Sequence, residues 1–155
     1  MPHELLLDGF LISDARERID LDAVHAFLTR SYWSPGVPRA TVEKAAANSM
    51  VFGVYRTGDA AQVGYARVIT DQATYAYLSD VFILEGFRGR GLSKALIGHI
   101  LSHPQLQGLR RWALLTWDAQ RLYEQFGFGY LEDPRRYMER VNRTNAPASS
   151  HASGV

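Results

Sequence analysis

The order of predicted strands and helices indicates an α+β domain built in three layers. Three strand-like segments follow one another within residues 50–84, which is typical of antiparallel hairpins. A strand, a glycine-rich turn, an amphipathic helix and a further strand then come in succession over residues 81–117, which is the pattern of a β-α-β crossover. Together these observations predict an α/β/α sandwich around a mixed, mainly antiparallel sheet with one β-α-β crossover.

The first third of the chain contains one predicted strand and two predicted helices. Residues 5–12 are mostly apolar and predict the strand. A helix is expected after Asp20, a residue type that caps helix N-termini, because Leu21, Val24 and Leu28 recur at helical spacing. The proline- and glycine-containing residues 32–38 predict a loop, and a short helix is expected near residues 41–47.

The middle of the chain predicts a three-stranded meander. Strands are expected over residues 50–56, 62–70 and 74–84, where β-branched and aromatic residues are frequent. The turns between them are predicted at residues 57–59 and 71–72, which contain the Gly, Asp and Gln of short connections.

The third part of the chain predicts the crossover and a second, shorter helix after it. A helix is expected over residues 91–103, a strand over 111–117 and the short helix over 119–126. Asp118 is the predicted N-cap of the short helix, and Gly127 is its predicted C′ residue.

A last strand is predicted to pair Tyr130 with the region of residues 137–141, which closes a folded domain over residues 1–141. Residues 142–155 are rich in Ser, Ala, Asn and Thr and contain almost no large apolar side chain. Such a segment buries too little surface to offset the entropy of ordering, so a disordered tail is expected.

Composition excludes several classes of function. The 155 residues contain no cysteine, which rules out disulfides, thiolate catalysis and cysteine-zinc sites. The net charge of +1 gives no argument for a nucleic-acid or membrane partner, and the absence of a spanning or targeting pattern suggests a cytoplasmic protein. His99 and His103 stand at i, i+4, but no carboxylate follows at a zinc-protease spacing, so no metal site is expected.

The run of residues 81–96 (VFILEGFRGRGLSKAL) places backbone N–H groups and cations at one helix N-terminus, which is typical of a phosphate site. A Rossmann fingerprint fails because Lys94 stands where its third glycine belongs. A P-loop fails because Leu92 and Ser93 replace its Lys-Ser/Thr pair. The pattern R/Q-x-x-G-x-G/A fits residues 88–93 except at Ser93, and the alternative is a merely solvated basic turn.

This segment resembles the acetyl-coenzyme A-binding motif of the GNAT acetyltransferase superfamily. Residues 122–128 (LYEQFGF) resemble the second signature of that family, L-Y-x-x-x-G-F, and one helix and one strand separate the two motifs, as in the family. The resemblance implies an acetyl-coenzyme A-dependent N-acetyltransferase that modifies a primary amine of a small molecule or peptide, as a monomer or homodimer. The alternative is a catalytically silent module that only binds acyl-coenzyme A.

The resemblance also implies which residues hold acetyl-coenzyme A. The pyrophosphate is expected on the backbone of six consecutive residues at the turn: Gly89, Arg90, Gly91, Leu92, Ser93 and Lys94. Arg88, Arg90 and Lys94 either add charge to the phosphates or only solvate the turn. The pantetheine arm is expected along the backbone of Val81, Phe82 and Ile83, as an added strand.

By the same resemblance, Tyr123 is the general acid that protonates the leaving sulfur; the alternative is a packing residue whose hydroxyl finds a backbone partner. Asp80 is a candidate general base because it is a charged residue within an apolar strand. It is equally a candidate structural acceptor or bulge residue, and a chain of waters is a third source of base catalysis. The candidate acceptor-site residues Tyr32 and Trp33 either wall a pocket or pin their loop to the core, and Trp117 is a further candidate lining residue.

Overall fold

Six strands form one open sheet in the order in which they occur along the chain. The structure, a computed structural model, describes residues 1–144. The strands are β1 (Glu4–Leu7), β2 (Phe10–Ser13), β3 (Met50–Arg56), β4 (Gln62–Thr70), β5 (Tyr75–Ile83) and β6 (Arg111–Ala113). Strands β1 to β5 pair antiparallel, and β6 pairs parallel to β5 at the sheet edge, as expected for a single β-α-β crossover.

Within residues 1–144, four α-helices cover the two faces of this sheet and confirm the three-layer prediction. They are α1 (Leu21–Leu28), α2 (Arg39–Ala47), α3 (Leu92–Leu101) and α4 (Gln120–Glu124). Apolar residues of α3 and α4 share one buried cluster with Ala66, whereas those of α1 and α2 share the other with Tyr65. Adjacent strand residues thus point to opposite helical layers.

Two of the predicted helix starts are confirmed by their caps. The Asp20 side chain accepts hydrogen bonds from the N–H groups of Asp22 and Ala23 at the start of α1. Gly91, with φ +77°, is the N-cap residue of α3. None of the helices within residues 1–144 is long and apolar enough to cross a membrane.

The prediction of a single strand over residues 5–12 is wrong, because these residues form the hairpin β1–β2. Its two-residue connection is Asp8-Gly9, and Leu7 lies opposite Phe10. Gly9 has φ +79°, the left-handed conformation that a tight hairpin turn requires. The chain therefore reverses where the apolar run predicts continuous extension.

The predicted strand over residues 111–117 ends at Ala113, and the predicted last strand between Tyr130 and residues 137–141 does not form in the described part of the chain. Residues 129–144 contain a single 3₁₀ turn, Pro134–Arg136, as their only helical or strand element. Pro134 cannot donate a backbone hydrogen bond to a strand ladder, and the Asp133 carboxylate instead caps the N–H of Arg135. Local side-chain chemistry thus favours a turn over a strand.

Helix α4 begins one residue later than predicted, and Asp118 does not cap it. Its N-cap residue is Ala119, whose N–H donates to the Thr116 hydroxyl at 3.1 Å. Gly127 has φ +88° after the helix, as predicted for its C′ position. In the predicted tail, Thr144 donates to the Asn142 side chain; residues 145–155 lie outside the described residues.

Candidate active site

The site begins where strands β5 and β6 part. They pair only between residues 75–77 and 111–113, and beyond these residues the two chain segments diverge. A cleft of about 550 Å³ opens between residues 77–81 of β5 and residues 115–119 after β6. A cavity of this size accommodates a small-molecule ligand.

A β-bulge in β5 lies beside this divergence. Tyr65 faces Phe82 and Arg67 faces Ser79, so that Ala66 of β4 lies opposite two residues of β5. One of them, Asp80, has φ +54°, an uncommon conformation for any residue except glycine. Such bulges bend a strand and often adjoin active sites.

Both carboxylate oxygens of Asp80 accept hydrogen bonds. Arg67 Nε donates to Asp80 Oδ2 at 2.5 Å, and Trp33 Nε1 donates to Asp80 Oδ1 at 3.0 Å. The Asp80 and Arg67 side chains are only 10% and 17% exposed, so this is a nearly buried ion pair. Asp80 is therefore the bulge residue and structural acceptor of one interpretation, and its role as a base stays a prediction.

The backbone of residues 81–83 has one edge that no strand covers. Leu84 N–H donates to Val63 C=O at 2.8 Å, and Ile83 lies opposite Gly64. Because bonded and non-bonded pairs alternate in an antiparallel ladder, the polar groups of Ile83 point away from β4. The side chains are buried: Val81 and Ile83 on the α3 face, and Phe82 stacked on Phe27 with centroids 4.0 Å apart. Any ligand contact at these residues must therefore be made by the backbone.

The turn after β5 is shaped by two glycines. Gly89 and Gly91 both have φ +77°, and a Cβ added at either would meet no atom within 4 Å. The glycines are thus required by backbone conformation and not by crowding. The first helical bond of α3 runs from Ala95 N–H to Gly91 C=O, which leaves the preceding N–H groups (Leu92, Ser93, Lys94) to point out of the helix end.

The cations of the turn differ in their surroundings. Arg88 is half-buried, and its Nε donates to Ile83 C=O at 2.9 Å, which ties the turn to the end of β5. Arg90 is exposed, with its guanidinium carbon 5.6 Å from the centre of the Phe87 ring. Lys94 is exposed, Ser93 is half-buried, and Leu92 belongs to the core. Arg90 and Lys94 are therefore the cations with charges that face solvent.

Tyr123 of α4 lines the cleft although it is only 6% exposed. Its ring packs edge-on against Phe128, with centroids 5.8 Å apart. Its hydroxyl forms no hydrogen bond within residues 1–144, so the backbone partner expected of a mere packing residue is not found there. Burial, reinforced by Tyr32 and Asp118, raises the pKa of Tyr123 well above its ordinary value of 10.0. The phenol is therefore protonated at neutral pH.

Tyr32 and Trp33, in the loop after α1, line the cleft and also pack against the core. The two interpretations of these residues are therefore compatible. The Tyr32 ring meets Trp33 edge-on with centroids 5.1 Å apart, and Trp33 in turn packs on Phe27. Trp117, 60% exposed, lies on the other wall, and its backbone N–H donates to the Tyr32 hydroxyl at 3.5 Å. This contact joins the two walls.

Three charged residues of the cleft, Arg67, Asp118 and Glu139, are missing from the sequence-based site, which has Asp118 only as a helix cap. Arg67 interrupts the apolar strand β4, as Asp80 interrupts β5, and this matched pair of opposite charges in neighbouring strands is a signal in the sequence. Glu139 lines the cleft from the C-terminal segment. It has no comparable signal, because its position depends on how that segment folds back.

The two histidines considered for metal binding lie near the N-terminal strand hairpin. His99 Nε2 is 3.0 Å from His3 C=O, and His103 Nε2 is 2.9 Å from Asp14 Oδ2. The rings of His3 and His99 stack with centroids 4.0 Å apart. Residues 1–144 contain no group of three or more acidic, histidine or cysteine side chains arranged to hold a metal.

Comparisons with known proteins agree on one family. The model of the GNAT acetyltransferase domain matches residues 47–129. A Gibberella zeae protein assigned to the acetyltransferases is 33% identical over 143 residues, which covers 79% of this chain and 80% of that protein.

Solved structures agree as well. A protein of Xanthomonas campestris pv. campestris, assigned as a GNAT-family acetyltransferase, is 41% identical with a TM-score of 0.84 and covers 88% of this chain and 96% of its own. Rv2747 of Mycobacterium tuberculosis, solved in complex with CoA and NLQ, shares the fold at 18% identity and a TM-score of 0.63, with 78% and 72% of the two chains covered.

Proposed function

Because the chain belongs to the GNAT acetyltransferase family, we propose that it transfers an acetyl group from acetyl-coenzyme A directly to a primary amine of a small molecule or peptide. The observation that carries this proposal is the buried Tyr123 phenol, which lines the cleft and has no hydrogen-bond acceptor within residues 1–144. A protonated, unpartnered donor at a cleft is what a departing thiolate requires.

The turn fits the phosphates of acetyl-coenzyme A. The outward N–H groups at the start of α3, the positive end of the helix dipole and the open space beside Gly89 and Gly91 form an anion cradle. Arg90 and Lys94 are the exposed cations available to the phosphates, whereas Arg88 orients the turn through Ile83. The backbone edge of residues 81–83 that no strand covers suits the pantetheine amides, although Ile83 C=O also accepts from Arg88 Nε.

The thioester supplies the acetyl group, and the protein supplies the proton transfers. The amine nitrogen bonds to the acetyl carbon, the carbon–sulfur bond breaks, and Tyr123 donates its proton to the sulfur. The amine loses one proton to water, and water returns one to Tyr123. We assign the deprotonation of the amine to water because both Asp80 oxygens already accept hydrogen bonds. Asp80 then acts as a positioning residue.

The test is coenzyme A release, followed with a thiol reagent, from acetyl-coenzyme A and a panel of primary amines. Calorimetry with acetyl-coenzyme A alone measures binding separately. Release that depends on the amine supports the proposal. Acetyl-coenzyme A binding without release by any amine would instead identify a silent acyl-coenzyme A-binding module, and no heat of binding would refute the cofactor assignment.

A further inference from the structure

The charged side chains that line the cleft are unbalanced. They are Arg67, Asp80, Asp118 and Glu139, so one positive and three negative charges leave the cleft with a net charge of −2. The chain as a whole carries +1. The acidity of the cleft is therefore local and runs against the charge of the protein.

The single cation of the cleft lining is already engaged. Arg67 donates to Asp80 from Nε and to the Ser49 hydroxyl from Nη1 at 3.2 Å. An acceptor bearing a carboxylate or phosphate would have to compete with Asp80 for this guanidinium. Within the described residues that line the cleft, no second basic side chain offers it a partner.

The two remaining carboxylates have no basic partner. Asp118 and Glu139 are exposed at the cleft and form no ion pair within residues 1–144. Glu139 accepts a long hydrogen bond of 3.5 Å from the Tyr137 hydroxyl. Both carboxylates are therefore available to a cation that enters from solvent.

Two further features of the cleft suit an ammonium ligand. The Tyr123 side chain, more than nine-tenths buried, directs an unpartnered hydroxyl to the cleft. The walls are aromatic, with Tyr32 and Trp33 on one side and Trp117 on the other, and aromatic faces attract ammonium groups. Acidic groups and aromatic walls favour the same class of ligand.

On the basis of the proposed function, we infer that the acceptor is a small primary amine that carries a second positive charge, of which a diamine is the simplest example. One amino group reaches Tyr123 and is acetylated in its neutral form. The other stays protonated and is held by Asp118, Glu139 and the aromatic walls. Acceptors that carry a carboxylate or phosphate are disfavoured by the same charges.

The test uses three amines that share a four-carbon chain: 1,4-diaminobutane, butylamine and 4-aminobutanoate. We expect kcat/KM for the diamine to exceed that for butylamine by roughly tenfold, because exposed charge and cation–π contacts are individually modest. 4-Aminobutanoate should be the poorest substrate. Added salt should reduce the preference for the diamine, since these charges are exposed.

Variants of the two cleft carboxylates test whether they cause the preference for the diamine. Asp118→Asn with Glu139→Gln should bring the ratio of kcat/KM for the diamine to kcat/KM for butylamine down to about one, because the charges that favour the diamine are removed. Glu132→Gln, which removes an exposed carboxylate that does not line the cleft, is the matched control and should keep the preference.

Binding is measured independently by the tryptophan fluorescence of a Trp112→Phe variant, which retains Trp33 and Trp117, during titration with each amine. A diamine that binds more tightly than butylamine but is not acetylated would support the substrate class and refute the proposed transfer. Equal binding and equal turnover of the diamine and butylamine, or a preference for 4-aminobutanoate, would overturn the inference.

Discussion

The glycine turn and the cleft between β5 and β6 are built in opposite ways. The turn presents backbone N–H groups, its glycines are fixed by positive φ, and nothing packs where their Cβ atoms would be. The cleft is fixed by side chains, because Asp80 of β5 accepts hydrogen bonds from Arg67 of β4 and from Trp33 in the loop after α1. Recognition by backbone depends on local conformation, whereas recognition by side chains depends on the whole fold.

The largest effect is expected from Tyr123→Phe, which keeps the ring packing on Phe128 and removes the proton donor. Turnover should fall by roughly 10²–10⁴-fold while acetyl-coenzyme A affinity changes little. Steady-state rates and calorimetry on the same preparation measure the two quantities. Near-normal turnover would remove Tyr123 from the chemistry and leave solvent as the proton source.

Arg67→Met tests whether the cleft depends on its side-chain bonds. It leaves the Asp80 carboxylate nearly buried without its cation, so the free energy of unfolding should fall by about 3 kcal/mol. Chemical denaturation measures the change. Adding Asp80→Asn should recover part of the loss, since asparagine tolerates φ +54° and carries no charge. Additive losses in the double variant would contradict a coupled pair.

Gly91→Val tests whether the turn depends on backbone conformation. Valine is strained at φ +77°, and its branched Cβ would enter the space beside the N–H groups. Acetyl-coenzyme A affinity should fall by roughly 5- to 30-fold, because holding valine in the left-handed conformation of the cradle costs roughly 1–2 kcal/mol. Gly91→Asn, which tolerates this conformation, should lose less. Equal affinities for wild type and Gly91→Val in calorimetry would contradict the cradle.

The smallest expected effect is on the stability of the protein at acid pH, through His99, which lies outside both the turn and the cleft. Burial lowers the pKa of His99 below 6.5, with His3 and His103 adding repulsion and the His3 carbonyl and Asp14 opposing it. The unfolded chain then binds more protons than the folded chain between the two pKa values. This contribution to stability is complete above about pH 6.5 and is lost as the pH falls through the lower, folded pKa.

The slope of the free energy of unfolding should reach at most about 1.4 kcal/mol per pH unit from this group. His99→Gln should flatten the slope between pH 6.5 and 5. The acetyl-coenzyme A affinity of that variant at pH 7.5 serves as the control, and an unchanged slope would assign the acid sensitivity to other groups.

The contrast between backbone and side-chain sites also explains what the sequence can predict. Short-range patterns predict the strands over residues 50–56 and 62–70, the Asp20 cap and the glycine turn. The structure confirms these elements. Strand β6 is shorter than predicted because its length depends on where β5 turns away, which no property of residues 114–117 reveals. The Asp8-Gly9 pair is a hairpin signal in the sequence, but the longer apolar pattern around it favours one strand.

The cleft could be predicted only in part. Tyr123, Asp80 and the three aromatic residues line it as expected. The Arg67–Asp80 pair depends on the register of β4 and β5, which the bulge shifts. The position of Glu139 at the cleft depends on the path of the chain after Pro134–Arg136. That segment forms no helix or strand within residues 1–144, so its path has no local pattern.

The cleft between the diverging strands has a consequence for kinetic order. The sequence contains no cysteine that could carry an acetyl group between two half-reactions. Under the proposed direct transfer, donor and acceptor occupy the opening between β5 and β6 together, as a ternary complex. Double-reciprocal plots of rate against acetyl-coenzyme A at several amine concentrations should intersect, whereas parallel lines would indicate an acetylated enzyme.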